Sequence, residues 1–260
     1  MAYISVSGLT KSFEGDQGSV IALQDINLSI EQGEFVCLLG PSGCGKSTLL
    51  NAIAGFIQPT CGSIIVDGRP VTAPGPDRGV VFQEYAIFPW MTVARNISFG
   101  LEIQGLAAEQ IKERVDGLLD TLGLGEFRER FPKELSGGMR QRVAIARLLA
   151  INSPVMLMDE PFGALDALTR RTLQDELLRI WRASGKTILF VTHSIEESLY
   201  LADRIVVMTY RPGTIKRDQP VDLPHPRDPA GAAFNSLKRD LGSLVMEEQE
   251  RHIHAEMKRE

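Results

Sequence analysis

The chain has 260 residues, a net charge of −5 and 43% hydrophobic residues. That length suits one large domain or a core with a subdomain, and the acidic balance argues against a general nucleic-acid binder, which is usually basic. No apolar run approaches the roughly 20 residues of a membrane-spanning helix, and the start of the chain lacks the charged and then apolar stretches of a signal peptide. The three cysteines, Cys37, Cys44 and Cys61, form no C-x-x-C pair, and so sparse a set fits a reducing cytosol.

Residues 3–9 and 26–30 alternate apolar with polar, with Gly and Asp as punctuation. This predicts antiparallel strands with one wet face, and places Phe13 in the turn between them. Glu34 to Leu39 reads as a buried strand, and Thr48 to Ala54 as a helix. Between them runs Gly40-Pro41-Ser42-Gly43-Cys44-Gly45-Lys46-Ser47-Thr48, which matches the phosphate-loop pattern G-x-x-x-x-G-K-[ST]. The glycines let the backbone curl so that successive N–H groups point at a phosphate chain, and the helix start adds partial positive charge. Lys46 can reach the outer phosphates, and Ser47 can offer its hydroxyl to a magnesium ion. The competing reading is a glycine-rich turn with a chance lysine; the strand before and the helix after favour nucleotide binding. Cys44 is either an oxidation-sensitive thiol or a small residue tolerated at a variable position.

Residues 63–68 and 79–83 predict two further strands, with a loop at 72–77. From Thr92 to Ala150 the pattern is helical. Ile111, Val115, Leu118, Leu119 and Leu122 form one stripe, Gly123 closes that helix, and Ser136 caps the next. This block reads as a helical subdomain inserted into an α/β core. Strands return at 155–160, 187–193 and 205–208, with helices at about 168–184 and from Ser194. Such alternation predicts a mostly parallel sheet covered on both faces. The tail from Pro224 is charged and has room for one or two surface helices.

Asp159-Glu160 follows the run Val-Met-Leu-Met. Strands of parallel sheets deliver residues at their carboxyl ends to a ligand crevice. One acid there can hold Mg²⁺ through water, and the next can polarise an attacking water. Gln83 has the same strand-end position and a neutral amide able to orient water or bind Mg²⁺. His193 ends the next strand, where it either caps the following helix or contacts a γ-phosphate. Ser136-Gly137-Gly138 at a helix start is a second anion site, or simply a serine cap. One nucleotide already has its cradle at 40–48, so a second cradle suggests that each chain completes its partner's site in a head-to-tail pair.

These motifs, in this order over residues 3–217, resemble the ATP-binding subunits of ABC transporters. Gly40–Thr48 is similar to Walker A, Val155–Glu160 to Walker B, Gln83 to the Q-loop and Leu135–Gln141 to the signature motif, with Met139 in place of the usual glutamine. Ala164-Leu165-Asp166 resembles the D-loop and His193 the switch histidine. The resemblance implies an α/β fold: a phosphate-loop NTPase core, with a mostly parallel sheet, an N-terminal antiparallel β subdomain and an inserted helical subdomain at about 88–152. It further implies an ATPase domain at 1–217, with a tail at 218–260.

The same resemblance implies ATP and Mg²⁺ as cofactors. Phe13 would stack on adenine, Ser47, Gln83 and Asp159 would serve the metal, and Glu160 would be the base. His193 would sense the γ-phosphate, and Asp166 would couple two sites of a homodimer. Residues 74–83, Phe88-Pro89-Trp90, residues 161–166 and Arg211-Pro212-Gly213 are similar to importer subunits for taurine, aliphatic sulfonates and nitrate. Partners of that group are membrane permease subunits and a substrate-binding protein, and the location would be the cytoplasmic face of the membrane. An exporter ATPase and a non-transport ABC ATPase remain as rivals, although no coiled-coil insertion or second cassette is present. A GTPase is disfavoured by the missing N-K-x-D motif.

Overall fold

Three runs, Phe35–Leu39, Val155–Asp159 and Thr187–Thr192, bury every residue. Strands that bury both faces belong inside parallel sheets, and the computed structural model, which describes residues 2–15, 18–163 and 165–257, pairs them that way. In chain order the first elements are β1 (Ile4–Gly15), β2 (Gly18–Ile30), β3 (Phe35–Leu39), α1 (Lys46–Ala54), β4 (Cys61–Val66), β5 (Arg69–Pro70) and β6 (Arg78–Val81). Next come α2 (Val93–Ile103), α3 (Ala108–Thr121), α4 (Gly137–Ile151), β7 (Val155–Asp159) and α5 (Ala167–Ser184). The chain continues through β8 (Thr187–Thr192), α6 (Ile195–Leu201), β9 (Arg204–Met208), β10 (Ile215–Pro220) and α7 (Ala232–Met257).

The chain forms two units, Met1–Gly75 with Gly185–Glu260, and Pro76–Ser184. In the first, β3 lies between β8 and β9, parallel to both, and β10 pairs antiparallel with β9. Its second sheet is antiparallel, in the order β2-β1-β4-β5. There Ile4, Val6 and Leu9 face inward while Ser7 is exposed, the alternation a one-sided sheet requires. Phe13 is not in the turn. It lies within β1, opposite Val20, because the hairpin runs longer than the alternating segments alone indicate. The strand β10 carries Lys216, Arg217 and Asp218, and so polar an edge strand gives no apolar run in the sequence.

In the second unit β6 and β7 pair in parallel, and α2, α3 and α4 occupy the stretch whose pattern is helical. Thr92 Oγ1 caps α2 by accepting the Arg95 N–H at 3.3 Å, and Val115 and Leu119 bury one face of α3. Ser136 Oγ caps α4 by accepting the Met139 N–H at 3.3 Å. The tail is held in the first unit by Arg227, which is buried. Its guanidinium donates to the carbonyls of Leu199 (2.7 Å) and Ala202 (2.6 Å) at the end of α6, where a cation offsets the helix dipole.

Candidate functional site

The parallel register sets one edge of the first unit. Leu39 pairs with Thr192, so the loop opening at Gly40 and the residue His193 both leave the same carboxyl edge. The loop that follows β3 needs its glycines. A Cβ on Gly45, whose φ is +97°, would lie 2.6 Å from Leu23 Cδ2, and one on Gly40 would lie 3.0 Å from the Met208 carbonyl oxygen. Helix α1 starts at Lys46 with no capping side chain and no acid in its first turn, the arrangement that leaves a helix start ready for an anion.

Lys46 is buried, and its Nζ donates to the carbonyl oxygens of Gly40 and Pro41, both at 2.8 Å. Ser42, Gly43 and Ser47 are exposed, Thr48 is half-buried and Pro41 is buried. Cys44 is buried within the loop, with its Sγ 3.6 Å from Lys46 Nζ. Burial pushes its thiol up from the ordinary range against the opposing pull of Lys46, so the inert reading of this cysteine is favoured. Phe13 and His193 are exposed, and Lys11 Nζ stands 5.1 Å from the Phe13 ring centroid.

In the second unit the same logic holds. Val81 pairs with Met158, so Gln83 and Glu160 each lie two residues past a paired position. Gln83 is exposed and Asp159 is buried at the strand end. Glu160 has φ +45°, a left-handed conformation that costs a branched or long side chain about 1–2 kcal/mol. Strain of this kind persists where the surroundings impose it, most often at sites of chemistry. Ser136 is exposed. Gly137 is tight against Tyr85, and Gly138 against Leu165: added Cβ atoms would lie 3.2 Å from Tyr85 Oη and 3.1 Å from Leu165 Cδ2. Asp166 Oδ1 accepts the Thr169 N–H at 2.9 Å, and its bonds to Thr169 hold its carboxyl below the usual range. Ala164, the first residue of that motif, lies outside the described residues.

The ABC transporter family pattern matches residues 23–163, more than half of the chain. The chain belongs to the ABC transporter family. This ATP-binding subunit is 49% identical over 238 residues to the nitrate import ATP-binding protein NrtD of Synechocystis, covering 92% of this chain and 90% of that one. It is 49% identical over 219 residues to the taurine import ATP-binding protein TauB of Roseobacter denitrificans, covering 84% and 82%. Among solved structures it resembles the dimeric post-hydrolysis state of an ATP-binding cassette bound to ADP and Pi, with a TM-score of 0.78, 32% identity and coverage of 85% and 99%. The fold is that of phosphate-loop NTPases, and the activity is ATP hydrolysis coupled to transport. No helix among the described residues is long and apolar enough to cross a membrane.

The second unit of this ABC ATPase also carries a groove of about 360 Å³, whose lining includes Phe82, Tyr85, Asn96, Phe99, Ile103 and Arg147. Of the aromatics after Gln83, Tyr85 lines it, and Phe88 packs against two of its lining residues. Phe88 packs edge-on against Phe99 with centroids 4.7 Å apart, Arg147 stacks over Phe88 at 4.3 Å, and Trp90 is 69% exposed. Tyr85 and Ala86 are both left-handed, and buried Asn96 holds the backbone of Phe88 through its amide oxygen (2.8 Å) and nitrogen (3.1 Å). The sequence marks neither Asn96, which bonds the backbone of Phe88 eight positions back, nor Arg147, which meets Phe88 from far along the chain. Nor does it mark Arg211 as a neighbour of the phosphate loop: Arg211 Nε donates to the Gly43 carbonyl at 3.0 Å.

Proposed function

We propose that this chain is the ATPase subunit of an importer for a small anion such as nitrate, taurine or an organic sulfonate. The observation that carries the reading is the match of about half identity, along most of both chains, to nitrate and taurine import ATP-binding proteins. Residues 1–217 form the ATPase domain, with the helical insertion at about 88–152, and 218–260 form its tail. Two copies pair, as the dimeric cassette it resembles supports, and in this reading they pair head to tail. The pair sits at the cytoplasmic face of the membrane against permease subunits, which a separate substrate-binding protein supplies.

In this reading Phe13 stacks on the adenine, and the amides of 40–48 with the Lys46 ammonium hold the phosphates. Glu160 accepts a proton from the attacking water, and Gln83 and His193 orient that water and the γ-phosphate. Ser136, Gly137 and Gly138 meet the γ-phosphate of the nucleotide held by the other copy, and Asp166 links the two sites. Among the described residues no three His, Cys, Asp or Glu side chains cluster to hold a metal. The oxygen donors of Ser47, Gln83 and Asp159 suit Mg²⁺, a hard ion that takes few protein ligands beside phosphates and water. Ser47, Gln83 and, through water, Asp159 would hold it, and it would neutralise phosphate charge. The aromatic groove receives a cytoplasmic segment of the permease, with exposed Trp90 and half-buried Tyr85 as anchors.

The test is reconstitution with candidate permease and substrate-binding subunits of the nitrate and taurine import type. Nitrate, taurine or a sulfonate should stimulate ATP hydrolysis and accumulate in the direction of the ATPase. Export of solute, or hydrolysis indifferent to every small anion, would overturn the reading. In the same preparation, Trp90→Ala and Tyr85→Ala should lose permease co-purification while keeping ATP binding.

A further inference from the structure

The turn between β9 and β10 lies against the outside of the phosphate loop. Arg211 Nε donates to the Gly43 carbonyl at 3.0 Å, and its guanidinium runs along Gly43, 3.6 Å from where a Cβ would sit. Two residues on, Gly213 is buried, and a Cβ there would lie 2.1 Å from the Cys44 carbonyl oxygen. The turn is itself rigidly tied. Gly213 N–H donates to the Ala22 carbonyl at 2.9 Å, Gln24 N–H donates to the Gly213 carbonyl at 3.0 Å, and Thr209 and Thr214 bond through their hydroxyls at 2.9 Å.

A trans peptide points its N–H opposite its carbonyl. The bond from Arg211 to the Gly43 carbonyl therefore sets the direction of the Cys44 N–H, and the contact of Gly213 with the Cys44 carbonyl sets that of the Gly45 N–H. These are consecutive amides of the loop, the kind of nest that binds an anion. The same turn is latched to the tail. Glu248 on α7 is fully buried, and its carboxylate accepts the Tyr210 N–H at 2.9 Å and bonds from Lys216 Nζ (2.8 Å) and Arg251 (3.0 Å). Tyr210 also stacks on His252 of α7, with ring centroids 4.4 Å apart.

We propose that Arg211 is a positioning residue for ATP binding, and that α7, through Glu248 and the 209–214 turn, sets the affinity of the phosphate loop. The proposal rests on residues 40–48 being the nucleotide site. Helix α7 thereby becomes a means of tuning affinity without touching nucleotide: whatever shifts Glu248 from Tyr210 loosens the backing of two phosphate-facing amides. The effect falls on ATP binding rather than on the chemical step, because the turn bears on the backbone of the phosphate loop, at Gly43 and Cys44.

The test is ATP titration by calorimetry, with KM and kcat, on the full chain. Arg211→Ala should weaken ATP binding about two- to tenfold, the equivalent of one hydrogen bond, and raise KM to match while leaving kcat within about twofold. Arg211→Lys should recover part of the loss. Glu248→Gln should shift affinity in the same direction, and the double variant should be no weaker than Arg211→Ala alone, because both act through one turn. Lys46→Ala serves as the reference. If it loses ATP while Arg211→Ala binds as the parent does, the proposal is wrong. Additive losses in the double variant would overturn the role of α7. Parental binding by Lys46→Ala would remove the loop as the nucleotide site, and the proposal with it, a result distinct from the other two.

Discussion

The ammonium of Lys46 lies 2.8 Å from the carbonyl oxygen of Gly40, so the lysine is folded into the loop that it closes. A second bond to Pro41 completes the arrangement, and the side chain is buried. A buried ammonium needs partners, and here the loop's own carbonyls provide them. The group is thus held against the loop's own backbone instead of ranging through solvent.

Replacing Lys46 with Met removes both bonds and the charge. In the proposed complex the ammonium turns to a phosphate, and one charge-assisted bond of that kind is worth about 1.5–3 kcal/mol, so ATP affinity should fall by at least about tenfold. The two carbonyls lose a partner as well, and the melting temperature should drop by a few degrees. Calorimetry with ATP and a thermal melt of the same sample check both. Affinity within twofold of the parent would show that Lys46 does not reach the phosphates.

Glu160 should behave differently. It follows a fully buried strand and holds a left-handed φ of +45°. Glu160→Gln keeps the shape and loses the proton-accepting oxygen, so binding should persist while kcat falls about 10²- to 10⁴-fold. Glu160→Gly relieves the backbone, and its stability should come within about 1 kcal/mol of the parent although its turnover is lost. Phosphate release and urea unfolding separate the two effects, and parental turnover in the glutamine variant would exclude this residue as the base.

Gly55 and Gly68 make a matched pair for stability. Gly55 closes α1 at φ +87°, where a Cβ would sit 2.4 Å from the Ala73 carbonyl oxygen; Gly68, at φ +70°, has open space around it. Gly68→Ala should cost about 1 kcal/mol, the backbone penalty alone. Gly55→Ala adds a backbone collision and should cost about 2–4 kcal/mol. Equal midpoints in urea for the two variants would mean that the close approach at Gly55 has no energetic consequence.

The latch on α7 predicts a pH signature. Burial pushes the Glu248 carboxyl up, but Lys216, the Tyr210 N–H and Arg251 outweigh it and hold it below the usual range. A depressed carboxyl stabilises the fold above its unfolded value, near 4.3, and loses that contribution as pH falls through the folded value. Burial tends to lower Lys216, yet Glu247 and Glu248 raise it overall, so its contribution is complete below about 10.4 and fades only above that. The gap in melting temperature between the parent and Glu248→Gln should therefore be flat from about pH 5 to 9 and narrow below about pH 4. A gap that widens on acidification contradicts the assignment.

Much of the site was legible in the chain because its parts are local. A phosphate loop is nine consecutive residues between a strand and a helix, and turn chemistry dictates its glycines. The strand that ends in Asp159-Glu160, the serine cap at Ser136 and the helical stripe of α3 are likewise properties of short windows, and all stand where the pattern predicted. Phe13 lies in β1 rather than in a turn because the pairing of β1 with β2 continues to Gly15 and Gly18 through exposed positions that carry no alternation of burial. β10 was missed for the same reason: an edge strand with Lys, Arg and Asp gives no apolar signal.

By itself the sequence determined the identity and order of the motifs, and with them the family and the activity. What it could not determine was which polar residues stand behind those motifs. That Arg211 supports Gly43 across 168 positions, that Asn96 holds the backbone of Phe88, and that Glu248 is buried under Tyr210 are results of tertiary packing. An arginine, an asparagine and a glutamate read locally as solvated side chains, because hydrophobic periodicity reports which face is buried and not which polar group it meets. Only the assembled fold, where each buried polar group must find a partner, decides that pairing.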